Sequence, residues 1–348
     1  MVAPERVDAL TAVTIEDRVA TRRGERLGAA GRLLAVRSVI ALPVTLAVSL
    51  AMFAVASLSP FDPLVAYLGD RYQTATPSQR EAMRVAYDVD QPWWQAWWQW
   101  LGGVARGDLG WSSTQSQAVS TVLLERMPFT FVLSGTALVI AAALAIGLGC
   151  LAGMRRGVVD KLCTAFAVTF AAVPPFVVSL ALVTVFAVGL HWLPTSGARP
   201  PGGQYTVGGL ATYGLLPLIA LVLSQIPWLL LSTRTAVVEA CASDAVRAAR
   251  ARGVHGWPLL RSHIAPVSVL PALALLGTRL PELIAGAAIV ETVFGWPGLA
   301  AVLVDSAAAL DFPLMAALTV GAALAVLLGS ALSDAAAVAL DPRIEMRA

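Results

Sequence analysis

Six apolar runs, at 39–58, 129–154, 162–190, 215–231, 267–294 and 314–340, dictate what this chain can fold into. Crossing a bilayer as a helix takes roughly 20 apolar residues, within a range of about 17–25. Each run meets that length, so each is read as a transmembrane helix. Composition agrees where it bears on this point. Charged residues make up 13% of the chain and the mean hydropathy is +0.74, whereas soluble domains carry about 25% charged residues. The expected fold is an all-α membrane protein with six transmembrane helices. The last two runs are rich in Ala, Gly and Leu, which suits close helix–helix contact in lipid.

Arginine placement sets the orientation, because Lys and Arg in short connections stay on the cytoplasmic side. Arg22, Arg23, Arg26, Arg32 and Arg37 precede the first run. Arg155, Arg156 and Lys161, against Asp160, lie between the second and third. Arg247, Arg250, Arg252 and Arg261 lie between the fourth and fifth, and Arg343 and Arg347 follow the sixth. With six spans all four groups share one side, so both termini are expected in the cytoplasm. The opposite side is balanced. Between 59 and 126, five arginines meet seven acidic residues, and T-S-G-A-R-P-P-G-G-Q-Y (195–205) is a Gly/Pro loop with one arginine.

The long external segment predicts two helices. A-T-P-S-Q-R-E-A-M-R-V-A-Y (75–87) has Thr76 to cap a helix, Pro77 at its first position and Glu81 early. Q-P-W-W-Q-A-W-W-Q-W (91–100) holds five tryptophans. It fits an amphipathic helix anchored at headgroup level, where tryptophan is favoured, better than a carbohydrate or base-stacking platform.

Much chemistry is excluded. A net charge of +2 gives no basis for nucleic-acid binding. Cys150, Cys163 and Cys241 lack metal-ligand or C-x-x-C spacing and read as small hydrophobes. No phosphate-binding loop, H-E-x-x-H or G-x-S-x-G occurs, and His191, His255 and His263 are scattered over two sides of the membrane. No catalytic residue, metal site or bound cofactor is therefore expected in this chain. The polar first 36 residues do not form a cleavable signal peptide.

One basic segment stands between two spans: D-A-V-R-A-A-R-A-R-G-V-H-G-W-P-L-L-R-S-H-I-A-P (244–266). Asp244 can cap a helix through 245–251, Gly253 permits a break, and a second short helix can run over 256–262 before Pro266 restarts the chain. Ala245, Ala248, Ala249 and Ala251 leave room for a neighbour, and Arg247, Arg250 and Arg252 offer charge-assisted contacts around them. The residues suit a docking element. They equally suit a solvated loop whose arginines only set topology.

R-A-A-R-A-R-G (247–253) followed by H-I-A-P (263–266) resembles the EAA loop of binding-protein-dependent ABC importer permeases, in the version of the dipeptide/oligopeptide/nickel branch. The same resemblance is carried, in order, by S-P-F-D-P (59–63), Y-D-V-D-Q-P-W (87–93) and W-L-G-G-V-A-R-G-D-L-G-W-S (100–112). It continues through H-W-L-P-T-S-G (191–197), A-G-A-A-I-V-E-T-V-F-G-W-P-G-L (285–299), L-D-F-P (310–313) and L-D-P-R-I (340–344). It covers the chain from about residue 37 onward. Three departures stand out. Arg247 occupies a position often acidic in the wider superfamily. Ile264, Ala265, Pro266 and Val267 stand where the branch often has polar or basic residues. Ala300 replaces the glycine usual after P-G-L.

The resemblance implies a type I importer permease fold. Residues 1–36 would be a cytoplasmic tail, 37–120 the first span with the extracytoplasmic segment, and 121–340 a five-helix core containing the coupling loop 241–266. Residues 341–348 would be a second tail. It also implies that Arg247, Ala248, Ala249, Arg250, Ala251, Arg252, Gly253, Val254, His255 and His263 couple the chain to a cytoplasmic ATPase. The implied partners are a homologous second permease, two ATP-binding subunits that hold ATP and Mg, an extracytoplasmic substrate-binding protein, and membrane lipid. The chain itself would be no enzyme, but a multi-pass cell-membrane subunit that imports di- or oligopeptides. Nickel or another small solute is the alternative cargo.

Ionisable residues inside a membrane are costly and default to function. Arg279 and Glu282, at i, i+3 on the fifth run, either pair as a strut or line a translocation path. Glu291 near the end of that run is a third candidate for the path; with the turn-forming Pro297 and Gly298 it suits a gate, a contact with the external binding protein, or simple turn chemistry. Pro174-Pro175 should kink the third span. Two other classes remain: a self-powered secondary transporter, short of intramembrane acids, and a membrane scaffold or receptor, which leaves the basic loop unexplained.

Overall fold

The computed structural model describes residues 31–32, 35–58, 64, 71–86, 91–278 and 280–340. The remainder of the N-terminal tail, S-P-F-D-P, residues 87–90, Arg279 and the C-terminal tail 341–348 lie outside the described residues.

Helix α1 (Ala35–Ala56) is the first long apolar helix. Next come three shorter helices, α2 (Arg71–Thr74), α3 (Pro77–Ala86) and α4 (Trp93–Val104), and a small antiparallel ribbon. Its strands β1 (Trp111–Ser112) and β2 (Gln117–Ala118) pair Trp111 with Ala118 and Ser112 with Gln117, an addition to the purely helical expectation. Helix α3 starts as its sequence requires. The Gln79 amide N–H donates to Thr76 Oγ1 at 3.3 Å, and the Thr76 N–H donates back to Gln79 Oε1 at 2.9 Å. This is a reciprocal capping box with Pro77 at the first helical position.

Two 36–37-residue helices, α5 (Val119–Arg155) and, further on, Val207–Ala242, are the framework of the molecule. Between them lie α6 (Gly157–Ala172) and α7 (Pro175–Leu182), the latter running on as a wide π turn, Val183–Gly189. Helix α8 is Val207–Ala242. After it come α9 (Asp244–Ala251), α10 (Gly256–Leu259), a second π turn (Leu260–Ile264), α11 (Ala265–Thr278), α12 (Leu280–Phe294), α13 (Leu299–Ala309) and α14 (Phe312–Leu340).

Among the described residues, four helices are long and apolar enough to cross a membrane, and up to six spans result if each of two bent pairs counts as one. The first bend, 101°, separates α6 from α7. There the expected kink is a full break. Val173 is extended (φ −92°, ψ 121°), as a residue before proline prefers, and Pro175 begins a new helix. The second bend, 88°, separates the end of α12 from α13. The apolar runs at 129–154 and 215–231 underestimate their helices by a turn or more at each end, except at the C-terminal end of α5. The i→i−4 bonds of α5 continue through polar Glu125 and Arg126 and past Pro128, where apolarity has already ended. At about 1.5 Å per residue α5 is roughly 55 Å long, more than the roughly 40–45 Å of a whole bilayer.

The pairing of α5 with α8 follows from a stripe of small residues. Ala137, Ala141, Ala145, Gly149 and Gly153 recur every four positions on α5, so they share one face, and the three alanines are fully buried. A methyl added at Gly149 would lie 2.7 Å from Thr233 Cβ, and one at Gly153 would lie 2.6 Å from Val237 Cγ1. The two backbones therefore approach as only small residues allow in lipid. Leu216, Leu221, Leu229, Val290, Phe294 and Trp296 complete the central core.

The tryptophan run is helix α4, but one of its faces is held by protein. Trp97 is buried and its indole N–H donates to Ser49 Oγ on α1 at 3.0 Å. Phe53 of α1 packs against Trp100 and stacks on Phe312 at the start of α14. Trp94 and Trp98 remain exposed, as an interfacial anchor requires.

Candidate functional site

The basic segment folds into a two-helix knuckle between α8 and α11. Its first cap is Ser243, one residue earlier than the Asp244 expected. Ser243 is extended, and its hydroxyl accepts from the Val246 amide at 3.4 Å. Asp244 instead sits in the first helical turn and ion-pairs with Arg247 at the exposed surface. Helix α9 then closes in a Schellman arrangement. The Gly253 N–H donates to the Arg250 carbonyl at 2.9 Å, and the Val254 N–H donates to that of Ala249 at 3.1 Å. Gly253 takes φ +84° with nothing within 4 Å of an added methyl, so backbone conformation rather than space demands glycine there.

The knuckle has two faces. Val246 and Ala249 are fully buried, packed with Val237, Ala240, Leu259 and Ile264. Ala245, Arg247, Ala248, Arg250, Ala251 and Arg252 are exposed on the other side. Ala249 is therefore an anchor to the membrane helices, whereas Ala248 belongs to the open face. His255 is exposed, with Nδ1 2.9 Å from the Gly253 carbonyl. His263 lies in the π turn, where its Nδ1 is buried and without a partner among the described residues.

Pro266 does not restart the chain as expected. The π turn runs into α11 without interruption, with the Ala265 amide bonding back to the Leu260 carbonyl. Proline has no N–H to give, and its ring crowds the carbonyl four residues earlier. One residue of surplus winding ahead of it relieves both problems. A brace lies nearby. Arg234 on α8 forms a forked ion pair with Asp160 in the first turn of α6, with Nη2 2.7 Å from Oδ2. Sequence reasoning passed over Arg234, although an arginine at the end of an apolar run opposite a helix-initial acid is a readable signal.

At the other end of the molecule, Glu291 is fully buried and meets Pro297 and Gly298 in the 88° bend. Thr130 Oγ1 on α5 donates to Glu291 Oε1 at 2.7 Å and accepts from the Leu299 amide at 2.8 Å. The Ala300 amide donates to Oε2 at 2.8 Å. The carboxylate thus caps α13, whose first amides have no helical partners, where the positive end of the helix dipole favours a negative group. A methyl on Gly298 would sit 2.0 Å from Oε1. The bend is tied further by the Trp296 indole, which donates to the Phe129 carbonyl at 3.2 Å. Arg279 lies outside the described residues, as does the side chain of Glu282.

Asp311, within L-D-F-P, was not anticipated as a site. It is buried, and its Oδ2 accepts from Ser112 Oγ at 2.6 Å, Thr114 Oγ1 at 2.7 Å and the Thr114 amide at 3.0 Å. The β1–β2 turn is thereby pinned to the start of α14.

Comparison with known proteins adds an independent line. The family model for binding-protein-dependent transport system inner membrane components matches residues 145–346. The oligopeptide transport system permease protein AppB of Bacillus subtilis is 29% identical over 311 residues, covering 89% of this chain and 98% of that protein. A putative peptide transport system permease protein of Brucella abortus is 32% identical over 284 residues, 81% of this chain and 89% of that one. The probable D,D-dipeptide transport system permease protein DdpB of Escherichia coli is 30% identical over 312 residues, covering 84% and 91%.

Proposed function

This chain belongs to the family of binding-protein-dependent transport system inner membrane components, and from that premise we propose that it forms half of a peptide-import path driven by separate ATPase subunits. It is a multi-pass membrane permease. In this proposal six spans place both termini in the cytoplasm, and the partners are a second permease, two ATPases and an extracytoplasmic binding protein. ATP and Mg reside on the ATPases. The peptide cargo is supported by the names of the relatives above.

The observation that carries this reading is the two-faced knuckle. Its inner face is locked by Val246 and Ala249 against the end of α8 and the π turn, while its outer face offers small side chains between arginines. A force on the outer face is transmitted because the inner face is fully buried, and buried side chains leave little slack. Nucleotide-driven movement of an ATPase docked there would thus bias the spans between two access states, as coupling demands. Glu291, Pro297 and Gly298 act in this proposal as the fixed corner of the bend. The engagement of both Glu291 oxygens inside the chain supports that role over a place in the path.

The test is substrate-stimulated ATPase activity in the reconstituted complex. Ala248→Glu, on the outer face, should leave the permease folded and abolish stimulation. Ala249→Glu, on the inner face, should lower the yield of folded permease. Full stimulation with Ala248→Glu would remove the docking role.

A further inference from the structure

A groove of about 630 Å³ opens beside the knuckle, between the end of α5 and the α10–α11 turn. One wall is Ile146, Gly147, Leu151 and Met154 of α5, and the other is Trp257, Leu260 and Val269. Among the described residues its only charged lining residues are Arg155 and Arg261, neither of them in an ion pair. At about 30 Å³ per water the groove would take roughly twenty waters, yet the walls give them almost nothing to bond.

Each wall is about as long as one leaflet is thick. Ile146 to Arg155 spans nine residue steps of α5, and Arg261 to Val269 spans eight along the facing turn and helix. At about 1.5 Å per residue both walls run some 12–14 Å, close to half of a roughly 30 Å hydrocarbon core. Arg155 and Arg261 stand at the knuckle end of the two walls, with the exposed Trp257 near them in sequence, and the apolar residues follow away from that end. That is the order in which a phospholipid presents its own groups. Basic pockets between transmembrane helices on the cytoplasmic side take anionic headgroups, and guanidinium meets phosphate with a two-pronged fork.

We infer that this groove binds an anionic phospholipid, with an acyl chain along α5 and the headgroup phosphate between Arg155 and Arg261. The lipid would wedge between α5 and the base of the coupling knuckle, so the anionic content of the leaflet would bear on coupling. The site is independent of which solute is imported.

Native mass spectrometry of the full chain in detergent tests this, with dioleoyl-phosphatidylglycerol, dioleoyl-phosphatidylcholine and inorganic phosphate as separate probes. Two arginines at an anionic surface are together worth about thirtyfold in affinity. Phosphatidylglycerol should therefore bind as the first lipid about thirtyfold tighter than phosphatidylcholine, and inorganic phosphate should not displace it. Arg155→Gln with Arg261→Gln should erase the preference, weakening phosphatidylglycerol by the larger factor. Gly147→Leu, at a position with no atom within 4 Å of an added Cβ, should fill the groove and weaken both lipids in a protein that still elutes as one species. Equal affinity for the two lipids, displacement by phosphate, or no effect of Gly147→Leu would overturn the assignment. So would loss of the bound lipid on assembly with the ATPase subunits, which would give the groove to a protein partner.

Discussion

Gly298 and Glu291 offer a sharp quantitative test of the bend. Gly298 has φ −93° and ψ −175°, a backbone that any residue adopts, so Gly298→Ala carries no conformational penalty of its own. Its whole cost is the collision of the new methyl with Glu291, 2.0 Å from Oε1 and 2.2 Å from Cδ. The carboxylate must leave its bonds to Thr130 and Ala300 while staying buried. Stripping a buried acid of both bonds costs about 3–5 kcal/mol, since each orphaned group is worth about 1–3 kcal/mol. Glu291→Ala loses the same bonds but also removes the buried charge, at a cost of about 2–4 kcal/mol. Independent effects would sum to about 5–9 kcal/mol. In the double variant the methyl introduced at position 298 enters space the carboxylate has vacated, so the pair should cost little more than Glu291→Ala alone.

The assay is thermal unfolding of the four detergent-solubilised proteins. At roughly 2–4 °C per kcal/mol, Gly298→Ala should lower the midpoint by about 10 °C in the parent. In the Glu291→Ala background the same change should lower it by under about 3 °C. Equal shifts in both backgrounds would show that the glycine is needed for some reason other than the carboxylate.

Three further outcomes follow from single contacts. Asp311→Asn should cost about 1–3 kcal/mol, because the amide presents a donor where Ser112 and Thr114 already donate. It should also speed proteolysis at 112–117 in right-side-out vesicles. Trp97→Phe should lower stability by about 1 kcal/mol through the lost bond to Ser49, whereas Trp98→Phe, on the exposed face, should be neutral in the same thermal scan. Arg234→Gln leaves Asp160 unpaired and should be partly rescued by Asp160→Asn, read as recovery of the unfolding midpoint in the double variant.

The four long helices at 35–56, 119–155, 207–242 and 312–332 were legible because apolarity is a local property with a fixed length scale. Their ends were not, since a helix stops where its backbone bonds stop, and α5 carries Glu125 and Arg126 well outside the apolar run. In the knuckle, Ser243 and Asp244 are both capping residue types, and only the backbone chooses between them. The inner face of α9 could have been read. Val246 is its single large apolar side chain, and the position three residues on, Ala249, must share its side. Glu291 was singled out as an acid near a turn, but its partner Thr130 is 161 residues away in sequence. Nothing local to L-D-F-P points to Ser112, 199 residues before Asp311. Such pairings exist only once the helices have been brought side by side.

Those two long-range bonds bear on where the protein begins as a physical object. The match to the family of inner membrane components starts at residue 145, in the middle of α5. Thr130, Ser112 and Thr114 all lie upstream of it. A polypeptide begun at residue 145 would leave Glu291 and Asp311 with only the Ala300 and Leu314 amides, without the hydroxyls that complete their hydrogen bonding. The stretch that the family model marks is therefore shorter than the stretch that can fold. Because synthesis runs from the N-terminus, the ribbon and the first half of α5 leave the ribosome before the bend and α14, so the hydroxyl donors are made before the two acids they serve.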